Sequence, residues 1–135
     1  MSVVLHPDFV LAVLDRGDAG HEAAATWVRA AEEDLVTTPL ALPAIDEGAR
    51  ARGGPDAAAA VRDDFARGAY GIRWWADAAD ETLSVARKRD LDLLRASLVA
   101  LAGRLRTDRI ATFDERFRDL RTPAGRPFVI LPADA

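Results

Sequence analysis

The chain has 135 residues, half of them hydrophobic and 30% charged, enough for one domain over residues 1–135 with a core of its own. It contains no cysteine, which excludes disulfides and thiolate zinc sites and makes a cytoplasmic setting the expectation. The formal charge of −4 is unevenly spread: residues 1–85 hold 7 Lys/Arg against 15 Asp/Glu, whereas residues 86–126 hold 11 against 6. Such a basic segment is first a solvated surface and second a candidate phosphate-facing or acidic-partner surface. The start MSVVLHPDF has neither a basic leader nor a long apolar stretch, so no signal peptide and no membrane span are expected.

SVVLH at 2–6 reads as a short buried strand. PDFVLAVLD at 7–15 follows as a helix with Pro7 or Asp8 at its start. After the turn GDAG, residues 21–33 carry Ala24, Trp27, Val28 and Ala31 on one stripe, the pattern of an amphipathic helix. DLVTT at 34–38 is the second strand, and the following segment is helical from about Pro43 to the glycine pair at 53–54. Pro55 opens another helix to about Gly68, and YGIRWW at 70–75 reads as a short strand. Helices are expected over 77–89 and 94–105, strands over 109–113 and 128–131, and a short helix over 114–121. Strands alternating with helices indicate an α/β/α sandwich around a mostly parallel, about five-stranded sheet.

In such sheets functional groups gather beyond the carboxyl ends of the strands. Those ends place His6 after the first strand, the Pro39–Ala44 stretch after the second, and Thr112 with Asp114 after the fourth. Asp8 and Asp46 are also explained as acids near helix starts. His6 reads as a hydrogen-bonded histidine at the crevice, and His21 as a surface or capping residue. Trp27, Trp74 and Trp75 read as core or interface groups before base-stacking ones.

Taken in register, VVLHPDFVLAVLD, GHEAAATW, TTPLALPAIDEG, DLDLLRASLVALAGRL, RIATFDERF and FVILPA resemble the PIN domain, the fold of the VapC-type ribonuclease toxins. That resemblance implies a PIN-like fold and a crevice in which three or four carboxylates hold Mg²⁺ or Mn²⁺ to activate water against an RNA phosphodiester. Hard divalent ions need such oxygen ligands, and the metal lowers the pKa of its water.

Measured against the family pattern, three acidic positions are replaced: His6 in VVLHPD, Ala44 in LALPAID and Arg95 in LLRAS. Asp114 is the one acidic position retained, with Thr112 in support. A guanidinium is charged at any working pH and presents only donors, so Arg95 repels a cation and is expected to pair with Asp114. The expectation is therefore a catalytically inactive or impaired protein that needs no cofactor and acts by binding RNA or an antitoxin-like protein, as a homodimer. The alternative is an active Mg²⁺- or Mn²⁺-dependent endoribonuclease whose ligand set is rebuilt from His6 with Asp8, Glu47 or Asp92.

Overall fold

A computed structural model describes residues 1–135. Five strands form one sheet in which every pairing is parallel: β1 Ser2–Leu5, β2 Asp34–Thr37, β3 Gly71–Ile72, β4 Arg109–Ala111 and β5 Val129–Leu131. Their spatial order is β3-β2-β1-β4-β5. Side chains alternate across the sheet and so divide the core in two. Val3, Leu5, Ala111 and Leu131 point to one face, where Phe9, Val10, Ala24, Ile45 and Val61 cover them. Val4, Val36, Ile110 and Ile130 point to the other, against Leu98, Val99, Leu101, Ala102 and Phe117.

The first layer is built from α1 Pro7–Leu14, α2 His21–Ala30 and α3 Ala41–Ala66. The second is built from α5 Leu93–Leu105, with α4 Ala78–Arg89 packed on its outer side. Residues 96–102 of α5 are all buried, which accounts for the nearly continuous apolar run ASLVALA.

Most expected elements are present within a residue or two at each end. The helix expected to stop at the glycine pair does break there, so α3 is two helical segments meeting at a kink. Gly54 takes φ 71° and ψ −162°, a conformation open to glycine, and Pro55 then sets the next helical segment. The strand expected over 70–75 shortens to Gly71–Ile72 at the sheet edge. Both of its residues are exposed, so no buried face prolongs it. Beyond it, the Trp75 indole turns away and donates to Glu81 at 3.0 Å. The short helix after β4 is a 3-10 turn, Glu115–Asp119, held inward by the fully buried Phe117.

Candidate functional site

The strand order reverses at β1: the chain runs outward to β2 and β3, then returns to add β4 on the other side. A crevice is therefore expected outside the carboxyl ends of β1 and β4. His6 leaves β1 in extended conformation and caps α1, while Pro7 fixes the first helical turn. The His6 Nδ1 lies 3.2 Å from the Asp8 amide and 2.9 Å from an Asp8 carboxylate oxygen. One nitrogen cannot accept the first and donate to the second at once, so the two contacts belong to alternative proton positions on the ring. The ring packs edge-on against Phe117.

Asp8 faces across to β4. Both of its oxygens lie 3.1 Å from the Thr112 hydroxyl, and one of them accepts the Phe113 N–H at 3.1 Å. Thr112 is 1% exposed, and its oxygen also accepts the Asp114 N–H at 3.0 Å. One buried hydroxyl thus joins the start of α1 to the turn after β4.

Asp114 caps the 3-10 helix by accepting the Arg116 N–H at 3.0 Å. The expected Arg95–Asp114 pair forms: Nε at 2.8 Å and Nη2 at 2.7 Å meet the same carboxylate oxygen. The third guanidinium nitrogen, Nη1, reaches Asp92 at 2.7 Å, and Asp92 also caps α5 by accepting the Arg95 N–H at 3.2 Å. Burial alone would push the Asp114 carboxyl up, yet the Arg116 N–H and the bonds and charge of Arg95 bring it below its ordinary value. Asp92 behaves alike: burial raises it, and Arg95 outweighs that and lowers it. Burial opposes the charge on Arg95, but the two aspartates more than restore it.

Ala44 lies half-buried in the first turn of α3 and offers no oxygen. Glu47, one turn further, is exposed. Asp46 is spent on a two-point bond to Arg62 across the α3 kink, at 2.7 and 3.0 Å. Sequence reading missed the hydroxyls beside these residues. Thr38 Oγ1 lies 2.8 Å from Ser97 Oγ, Ser97 donates to the Leu94 carbonyl, and Thr37 donates to the Leu5 carbonyl. The available signals were the TT that ends β2 and the serine two places after Arg95.

Apart from Arg95, two further arginines of the basic segment are spent on partners elsewhere. Arg109 pairs with Glu33 at 3.1 Å, and Arg118 holds Asp134 at 2.7 and 2.9 Å. His21 donates Nδ1 to the Ala12 carbonyl, and Trp27 packs edge-on against Phe9.

Mg²⁺ or Mn²⁺ would need several free carboxylate oxygens. Here the Asp8 oxygens are taken by Thr112 and Phe113, those of Asp114 by Arg95 and Arg116, and a guanidinium stands beside Asp114. No group of three or more His, Asp or Glu side chains is disposed to hold a metal ion. The residues present do not fit a hard divalent ion.

No family model matches the sequence. The chain is 29% identical over 135 residues to Ribonuclease VapC26 of Mycobacterium tuberculosis, covering 96% of this chain and all of that protein. Its fold is similar to that of VapC20 of the same organism, described as a toxin that cleaves the sarcin–ricin loop. The TM-score is 0.76 at 18% identity, over 84% of this chain and 90% of that one. A chain of a toxin–antitoxin complex from Klebsiella pneumoniae gives a TM-score of 0.63 at 15% identity, covering 84% and 88% of the two chains. A chain of VapBC2 from Rickettsia felis, bound to a promoter DNA fragment, gives 0.65 at 9% identity, covering 96% and 97%. The α/β/α fold and the resemblance expected from the sequence are borne out.

Proposed function

We propose that this chain is a PIN domain of the VapC type whose crevice does not support metal-dependent RNA cleavage, and that the protein acts by binding. Its partner is an RNA or an antitoxin-like protein, and no cofactor takes part. The observation that carries this reading is the Arg95 guanidinium fixed between Asp92 and Asp114. A cation held by the protein itself neutralises the one retained acidic position, and Ala44 and His6 return no carboxylate to it. The apolar groove along α3 and β3, lined by Leu42, Pro43, Ile45, Val61, Phe65 and Ile72, supports pairing of two copies.

The test is the thermal stability of the purified protein titrated with Mg²⁺ and Mn²⁺, beside an Asp114→Asn variant, with RNA cleavage followed in parallel. No midpoint shift in either protein and no chelator-sensitive cleavage are expected. A shift that grows with ion concentration and disappears in Asp114→Asn would overturn the reading.

A second reading is supported by Asp8, which lies 2.9 Å from His6 and is joined through Thr112 to the turn that carries Asp114. It is an active endoribonuclease with a rearranged ligand set. That reading requires cleavage that needs a divalent ion and is lost in Asp8→Asn as well as in Asp114→Asn.

A further inference from the structure

Arg52, Arg62, Arg67, Arg95, Arg109 and Arg118 each meet a carboxylate. Of the arginines that meet none within ion-pair distance, Arg89, Arg106, Arg121 and Arg126 lie around one small hairpin. Arg121 and Pro127 bridge its two arms, Thr122 N–H donates to the Arg126 carbonyl at 2.8 Å, and Gly125 makes the tip with φ 85°.

Two contacts anchor this hairpin. Arg89, at the end of α4, donates to the carbonyls of Arg121 and Thr122. Pro123 packs on α5 at Gly103, where a Cβ would fall 2.6 Å from the proline ring. Arg106, just past the end of α5, and Arg126 then face a common cavity of about 380 Å³ with Thr107, Thr122 and Pro123. Asp108 is the one acid in its wall. The hairpin leads through Phe128 into β5, and Thr107 through Asp108 into β4, so this surface lies at the amino ends of the strands, opposite the crevice.

We infer that this face is a docking surface for the phosphodiester backbone of a nucleic acid, contacted by Arg106 and Arg126 and held in shape by Arg89 and by Arg121, which donates to the Gly125 carbonyl. Uncompensated guanidiniums on a loop fixed at both sides suit a row of phosphates, which they meet through planar paired donors. Of the exposed large apolar side chains only Met1 borders the cavity, so the face offers little to a membrane or an apolar interface. Nothing here reads base edges, so the surface binds by charge and shape without sequence preference. The inference is independent of whether the crevice cuts RNA.

The test is fluorescence anisotropy of the full chain with labelled oligouridylate and oligothymidylate across a salt series. Binding of both at low salt is expected, with a logarithmic salt slope that falls by about 0.7 per arginine removed in Arg106→Gln/Arg126→Gln. At low salt that double variant should bind about five- to tenfold more weakly. Arg29→Gln/Arg50→Gln, which changes the net charge equally on other surfaces, should leave the slope in place. The proposal is overturned if the native chain binds neither oligonucleotide at low salt, or if both double variants lose the same affinity. Tighter binding of polyglutamate than of oligouridylate by a competition readout would assign the face to an acidic protein and overturn it equally.

Discussion

Arg95 and Asp114 are 19 residues apart in sequence and meet through two nitrogens on one oxygen, at 2.8 and 2.7 Å, with side chains 20% and 14% exposed. Neither group is solvated well enough to stand alone. Removing one leaves the other partly buried without its counter-charge, and that costs more than the pair itself contributes. Arg95→Ala is therefore expected to lower unfolding stability by about 1–3 kcal/mol, measured by urea denaturation. A loss below about 0.5 kcal/mol, the scale of an ordinary surface change, would show that the pair is solvated in practice.

The same pair predicts an acid limb. The folded Asp114 carboxyl lies below its ordinary value, so its contribution is fully present above the unfolded pKa and is lost as pH falls through the folded one. The stability difference between the native chain and Asp114→Asn should be constant from about pH 5 to 7 and shrink below about pH 4. Asp92 adds little to this limb, because nearly half of its side chain is exposed, at 47%. A difference that stays constant down to about pH 2.5 would remove the assignment.

Metal affinity should return when the cation is taken out and the acids are supplied. In Arg95→Asp/Ala44→Glu/His6→Asp, ten millimolar Mn²⁺ acting on a site of about 1 mM dissociation constant would stabilise the fold by about 1.4 kcal/mol. The native chain should gain nothing. Calorimetric titration of both proteins decides between them, and equal heats would mean that Arg95 is not what excludes the ion.

Thr112 is expected to matter through its hydroxyl alone. Thr112→Val keeps the shape but removes the hydroxyl's bond to Asp8 and leaves the Asp114 N–H without its partner, a cost of about 1–3 kcal/mol. Thr112→Ser should recover most of it. Equal loss in the two variants would point to packing of the methyl group instead.

The parts of the fold carried by local periodicity were readable from the sequence, as the α2 stripe and the apolar run of α5 show. The break at Gly54 was readable too, because glycine followed by proline permits few backbone paths. The extent of β3 was not, since a two-residue edge strand with exposed side chains leaves no apolar alternation. At the site, the Arg95–Asp114 pair was legible because a lone carboxylate in a crevice requires a counter-charge. The role of Asp8 was not. As an acid in a first helical turn it already has a local explanation, and its partner Thr112 is 104 residues away. Asp92 looked like a spare ligand in sequence and is the second jaw of the Arg95 clamp in space.

The turn after β4 has one further property. It is a loop, yet the amides of Phe113, Asp114 and Arg116 each end on a side-chain oxygen supplied by Asp8, Thr112 or Asp114. Loop amides ordinarily exchange with solvent deuterium almost freely, whereas these open only when the surrounding side chains part. Their exchange should be slow in the native chain and should quicken together in Thr112→Val. The crevice mouth is thus a preset surface, and a partner that docks there meets a form already made.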